Sequence, residues 1–240
     1  MRLITYIILL TVIFSCKKPS ERSCWKSNGE LSYINAGFIT TNILTVLDDL
    51  NLILINDSLN EIIIEGPKNL IKLIELEQKN HQITIKNNNR CNFLRKNMAI
   101  NIYYHYEQLD SLILKGYGNV NNNGEMNHSI FINGKDALCS INLKLNNDSN
   151  KIIIQNGSTD INLSGNCSYF YFYNEGFGPL KAFDLEVKKF HVHSNSISNS
   201  EINVTERLNA EIRDDGNVYY KGNPTFIQTT ITGNGRLIPQ

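Results

Sequence analysis

Between Leu112 and Ile231 the chain repeats one small unit seven times: two apolar residues two positions apart, then a turn rich in Gly, Asn or Asp. The pairs are Leu112/Leu114, Ile130/Ile132, Ile152/Ile154, Phe170/Phe172, Phe190/Val192, Ala210/Ile212 and Thr229/Ile231. From the second member of one pair to the next, the steps are 18, 22, 18, 20, 20 and 19 residues. A period near twenty marks a solenoid, in which each unit buries its apolar edge only by stacking on its neighbours. Side chains alternate along a strand, so both members of a pair point the same way, into one core. The expected fold is all-β, a right-handed parallel β-helix with coils of about 20 residues. An antiparallel β-sandwich also has many short strands, but its turns come every 8–12 residues or so without the doubled period.

A second apolar cluster follows each turn: Val120, Leu138 with Ile141, Ile161 with Leu163, Phe183 with Leu185, Ile202 with Val204, Val218 and Leu237. Each coil therefore needs at least two strands feeding one core. Glycines punctuate the turns, at Gly116/Gly118, Gly134, Gly157, Gly176/Gly178, Gly216 and Gly233/Gly235. The coil that starts at Phe190 uses Ser194-Asn195 instead. Ahead of the repeat, 50–55, 61–65, 81–86 and 98–102 read as strands. Lys68 to Glu77 reads as a short helix or irregular crossover, broken from the strand before it by Gly66-Pro67.

Residues 1–15 are expected to be a signal peptide rather than part of the fold. Arg2 supplies the positive start and Leu3 to Phe14 a short apolar run, too short for a membrane span. Ile13-Phe14-Ser15-Cys16 resembles a bacterial lipoprotein cleavage box, with Phe14 departing from the usual small residue. That resemblance implies lipidation of Cys16 and a tether over 16–31, with the β-helical domain over 32–240. The membrane is then a partner through the lipid.

The net charge is +0 and only 19% of the 240 residues are charged, which removes any electrostatic case for binding nucleic acid. Asparagine fills the gap with 35 residues. It tolerates left-handed backbone, forms Asx-turns at tight corners, and can ladder along parallel coils. Cys24, Cys91, Cys139 and Cys167 remain beside Cys16, and an exported chain permits disulfides in any of three connectivities.

The run Gly216-Asn217-Val218-Tyr219-Tyr220-Lys221-Gly222-Asn223-Pro224, with Gly157-Ser158-Thr159-Asp160-Ile161 as an internal turn, resembles the head GIN domain family of exported Bacteroidetes proteins, whose members are named as adhesin heads. The resemblance covers about residues 35–225 and implies a β-helical envelope protein, at the outer membrane on its periplasmic or surface face, with no catalytic residue and no cofactor. The segments around Cys24 and Cys91 are similar to a cysteine pair in one branch of that family, which implies a Cys24–Cys91 disulfide. Cys139 and Cys167 are left as buried thiols or a second bridge. Asp57-Ser58-Leu59 and Asp110-Ser111-Leu112 are similar to a short O-glycosylation motif.

Candidate chemistry is sparse. His191-Val192-His193 puts two imidazoles on one strand face, but a metal site needs further ligands, and Arg213 one coil on opposes a cation. Asp214-Asp215-Gly216-Asn217 lacks the alternating acids of a calcium loop and reads as a turn. No nucleophile elbow or phosphate loop is present in the sequence. The expected function is adhesion or binding of a glycan or protein, without catalysis and without a metal. A polysaccharide-acting enzyme and a purely structural envelope protein are the alternatives. The residue between each inward pair defines an outer column: Ile113, Phe131, Ile153, Tyr171, His191, Glu211 and Thr230. Phe131, Tyr169, Tyr171, Tyr173, His191 and His193 are the candidate binding residues. Two outcomes are open: the segment from Ser32 to Met98 covers this column as a second layer, which is favoured, or the column is an exposed site.

Lipidation is directly testable. Mass spectrometry of the mature protein should find an acylated Cys16 at its N terminus, and Cys16→Ser should move the protein from the membrane to the soluble fraction. An unmodified N terminus downstream of Cys16 is the opposing result.

Overall fold

The computed structural model describes residues 27–90 and 99–240. Parallel strands stack into a β-helix of about six turns. The strands are β1 (Leu31–Phe38), β2 (Ile43–Asp49), β3 (Asn51–Asn56), β4 (Glu61–Pro67), β5 (Ile74–Lys79), β6 (Gln82–Asn87), β7 (Asn101–Tyr106) and β8 (Ser111–Asn123). They continue with β9 (Ile130–Gly157), β10 (Asp160–Asn174), β11 (Leu180–Ser194), β12 (Ser200–Ile212), β13 (Val218–Lys221), β14 (Phe226–Ile231) and β15 (Leu237–Pro239). The long strands bend at corners, so one strand serves more than one wall. The first part of β8 pairs with β2 and its end pairs with β3.

The stack does not grow in one direction. The β2–β3 coil is flanked on both sides: β8 lies parallel on one side of it, while β6 and β7 lie parallel on the other. Beyond β6 and β7 the sheet turns antiparallel, with β5 on β6, β4 on β7 and β1 on β4. This antiparallel layer closes the first end of the solenoid. Glu65 pins it by accepting hydrogen bonds from Tyr33 Oη (2.7 Å), Tyr103 Oη (2.7 Å) and Asn101 Nδ2 (2.9 Å). Those three donors hold the Glu65 carboxyl below its ordinary range.

The expected crossover at 68–77 resolves into a one-turn helix, α1 (Lys68–Ile71), followed directly by β5. Leu70 and Ile71 are buried, while from Ile74 onward the residues alternate and pair with β6. The strand ladder thus overrides the helical spacing of the leucines and isoleucines.

The register between coils corrects the spacing read from the pairs. Leu112 lies beside Ile132, and Ile152 beside Phe172, which lies beside Val192. The step is 20 residues at each of these rungs, not 18 or 22. From Ile130 to Ile212 each coil buries three inward positions on this wall, so different pairs among the three give apparent steps of 18 and 22. One column holds Phe170, Phe190 and Leu208; the next Phe172, Val192 and Ala210; the third Asn174, Ser194 and Ile212. All nine are at most 1% exposed, so the core is continuous along the axis. Val192 to Ala210 takes only 18 residues.

Three further expectations change. Leu138 and Phe183 do not enter the core; Ala137 and Ala182 do, each at 0% exposure, and Leu185 is buried as expected. The last pair, Thr229/Ile231, lies on β14, every residue of which is exposed. The segment before the repeat extends the stack and caps it, and does not form a second layer: Ile113, Phe131 and Ile153 are only partly buried. Its strands have their own inward residues, such as Leu44, Leu52 and Ile85, so it is core rather than cover.

Cys139 and Cys167 are free thiols, and burial pushes each up to about 11. No second bridge forms between them. The Cys24–Cys91 pairing and Cys16 lie outside the described residues.

Phe170 stacks on Phe190 at 5.2 Å between ring centroids and is fully buried. Phe170→Ala should leave a cavity between coils that the rigid ladder cannot close. The expected loss is about 3–5 kcal/mol in urea unfolding.

Candidate functional site

The outer face of the wall that carries the three inward columns presents two adjacent ladders. In one, Ser111 lies beside Phe131, Lys151 beside Tyr171, Tyr171 beside His191 and His191 beside Asn209. In the other, Ile113 lies beside Asn133, Ile153 beside Tyr173, Tyr173 beside His193 and His193 beside Glu211. The single column expected from the sequence is therefore two columns interleaved. The step of 20 between Ser111 and His193 separates Phe131 from Ile113 and Ile153, and it puts Lys151 and Asn133 into the apolar run. Tyr169 belongs to a third ladder, between Ser149 and Lys189, with Arg207 one coil further on.

The side chains are fixed by one another. Lys151 Nζ sits 5.5 Å from the centroid of Phe131 and 5.2 Å from that of Tyr171, bridging the two rings. Such cation–π contacts hold an otherwise mobile lysine against the wall. Nothing in the spacing of the pairs marks Lys151, because its rung lies between Ile132 and Ile152, outside the chosen pairs. Tyr171 meets His191 edge-on at 5.0 Å, and Tyr173 meets His193 at 4.8 Å. Tyr173 Oη donates to Glu175 Oε2 at 3.1 Å.

Both imidazoles face one carboxylate. His191 Nε2 is 3.7 Å from Glu211 Oε1, and His193 Nδ1 is 3.6 Å from Glu211 Oε2. Both distances exceed a hydrogen bond. Arg213 Nη2 lies nearer, 3.1 Å from Glu211 Oε2, and takes the carboxylate. Among the described residues no group of three or more His, Cys, Asp or Glu is arranged to hold a metal. Burial lowers the His193 pKa, and Glu211, which raises it, does not overcome that effect; Arg213 and His191 add to the lowering. Burial likewise raises Tyr171 and Tyr173, so both phenols stay protonated donors. The face is a partly buried strip of aromatic rings, imidazole and phenolic hydroxyl, with Lys151 held across it.

The acidic turn is structural. Asp214 Oδ1 accepts from the Asp215 amide, and Asp215 Oδ1 accepts from Asn234 Nδ2 at 2.7 Å one coil on. In the glycine-poor coil, Ser196 Oγ donates to the Gly176 carbonyl and Ser198 Oγ to that of Phe177. Serine hydroxyls there tie the turn to the coil below. Of the two triplets similar to a glycosylation motif, Ser58 is exposed in a bend and Ser111 opens a strand.

The family model described as "Putative auto-transporter adhesin, head GIN domain" matches residues 42–224. The chain belongs to this family. A solved structure of a "putative adhesin" from Bacteroides fragilis is similar with a TM-score of 0.74 and 19% identity, over 88% of this chain and 97% of that one. A second "putative adhesin", from Parabacteroides merdae, gives 0.63 and 19%, over 89% and 98%. A "putative lipid binding protein" from Parabacteroides distasonis gives 0.53 and 15%, over 89% and 98%. At these identities the likeness is one of fold. No curated protein sequence matches the chain.

The head GIN domain match takes in every residue of the tyrosine and histidine face. It excludes Cys16 and Cys24. His193 offers a pH test within this domain. Its folded pKa lies below its unfolded value, so the unfolded state binds the proton more readily, and stability falls as pH drops below about 6.5. His193→Asn should flatten the pH dependence of the urea midpoint between neutral pH and about pH 5 relative to wild type. An unchanged slope would show that the imbalance lies elsewhere.

Proposed function

We propose that this protein is a non-catalytic binding module of the cell envelope, held by a lipid on Cys16, and that the tyrosine and histidine face is its contact surface. The observation that carries this reading is the pre-ordered aromatic ladder. Phe131, Tyr171, Tyr173, His191 and His193 remain partly exposed although each is packed on its neighbour. Partners that dock on such a face lose little side-chain entropy, and tyrosine offers both apolar area and a hydroxyl. Family membership and the adhesin names of the structural neighbours support a surface role.

The topology suits anchoring at one end. β1 is the first strand in the sheet order and β15 the last. A tether running from Cys16 into β1 attaches the solenoid by its capped end and leaves the coils bearing the histidines further out. The partner is a glycan or a protein on a neighbouring surface; the net charge of +0 gives no electrostatic case for nucleic acid.

The test is binding of the exported protein to an array of glycans and envelope proteins. Tyr171→Ala combined with Phe131→Ala should weaken the retained interaction at least about tenfold, a loss of about 1.4 kcal/mol. Thermal unfolding should be nearly unchanged, because neither ring is core. Undiminished binding by the folded double variant would place the contact on another wall.

A further inference from the structure

A second face carries chemistry of a different kind. On the wall built from the later part of β8 and its successors, the outward asparagines Asn121, Asn142 and Asn162 stand in register. They form a ladder: Asn142 Nδ2 donates to Asn121 Oδ1 at 3.0 Å, and Asn162 Nδ2 donates to Asn142 Oδ1 at 2.8 Å. The direction of the ladder leaves Asn162 Oδ1 as an acceptor at its upper end. The next rungs are Lys181 and Glu201.

At that point the ladder breaks its own pattern. Between Ala182 and Glu186 three residues of β11 have no partner on β12, where Ile202 and Asn203 are consecutive. On the β10 side one extra residue separates Lys181 from Asp184. The bulge turns Leu185 into the core and leaves Phe183 partly exposed. Bulges of this kind re-aim side chains, and they gather next to functional sites. Lys221 Nζ lies 5.5 Å from the centroid of the Phe183 ring.

Above the asparagines and beside the ring lies a groove of about 770 Å³, within the range of small-ligand sites. Two amines, Lys181 and Lys221, and two carboxylates, Asp184 and Glu201, line it. None of the four makes an ion pair with another described residue, whereas Lys144 at the edge is taken by Glu125 at 2.8 Å. The groove therefore balances its charge: Lys181, Asp184 and Glu201 are without an ion-pair partner among the described residues, and Lys221 rests over the single aromatic ring, from which a ligand would displace it. That combination fits a ligand whose apolar face stacks on the ring and whose rim is crowded with hydroxyls.

We propose that this groove binds a neutral oligosaccharide, with one pyranose ring stacked on Phe183 and its hydroxyls shared among Asn162, Lys181 and Glu201. The proposal rests on the reading of the protein as a binding module, but it uses none of the residues of the tyrosine and histidine face. A charged sugar of either sign is disfavoured, because two amines and two carboxylates leave little net charge to attract it.

The experiment is titration calorimetry of the exported protein with soluble cellopentaose, maltopentaose, xylopentaose, mannopentaose and chitopentaose. At least one probe should bind saturably. Phe183→Ala should weaken it at least about tenfold, while Phe183→Tyr retains it. Glu201→Gln, a nearly isosteric change on the surface, should also weaken binding, and it keeps the test decisive if Phe183→Ala fails to fold. Raising salt to about 0.5 M should leave the affinity unchanged, since no ion pair with the ligand is formed. The Tyr171→Ala, Phe131→Ala protein should bind the sugar as wild type does, so failure of the first contact surface and failure of this groove are read separately. Absence of saturable binding to every probe overturns the proposal. Sugar binding that survives both Phe183→Ala and Glu201→Gln, or that collapses in salt, overturns it as well.

Discussion

Axial stacking of like on like is the interaction on which everything else in this molecule depends. Parallel strands about 4.8 Å apart bring each side chain over the equivalent residue of the previous coil. An inward residue is buried by the rungs above and below it as much as by the opposite wall. The register between rungs, rather than a fixed coil length, is therefore an energetic requirement, because a shift of one residue would turn a whole inward column outward. Phe170 on Phe190 and Ile161 on Ile141 are the same solution repeated. Backbone also has to pass close to backbone where coils turn. At Gly165 a Cβ would lie 2.0 Å from the Leu145 carbonyl oxygen, and φ is +102°, so only glycine fits.

A stack of parallel strands needs an end. An unpaired strand edge invites association, and closing it with antiparallel strands removes the exposed ladder. Here the chain lays down β2–β3, then places β6 and β7 on one side of that coil and β8 on the other. The first coil in sequence becomes an interior rung. β1, β4 and β5 finish the edge. The segment that precedes the regular repeat is thereby used for closure, and the outer faces of the later coils stay uncovered.

The same stacking that builds the core builds the surfaces. Outward columns are ladders as strictly as inward ones, and each face takes its character from what is repeated. On one wall Tyr171 and Tyr173 lean on His191 and His193, with Lys151 bridging two rings. On another wall asparagine amides chain together until a bulge lifts Phe183 out of line. Both faces are held still before any partner arrives. Their chemistries differ: one offers aromatic edges and phenols, the other amides and balanced charge around a single ring.

The period, the alternation within each strand and the asparagine-rich corners are legible in the sequence because they are properties of a single strand and its turn. An apolar residue two positions from another points the same way whatever lies above it. The family resemblance was legible too, in the run from Gly216 to Pro224. The tertiary structure alone decided which residues lie beside which. A coil with three inward positions shows the same pairwise pattern whether the first two or the last two are chosen, so Ile113, Phe131 and Ile153 looked like one column and belong to two. How the length of a coil is absorbed was equally hidden: at the bulge β11 carries one residue more than β10 and three more than β12. That difference moves Phe183 from an expected core position to the rim of a groove. The meeting of His191 and His193 with Glu211 depends on this shortened coil as well, whereas Arg213 reaches Glu211 from two residues along the same chain segment. Local alternation is set by backbone geometry within a strand, whereas register is set by the closure of a whole turn.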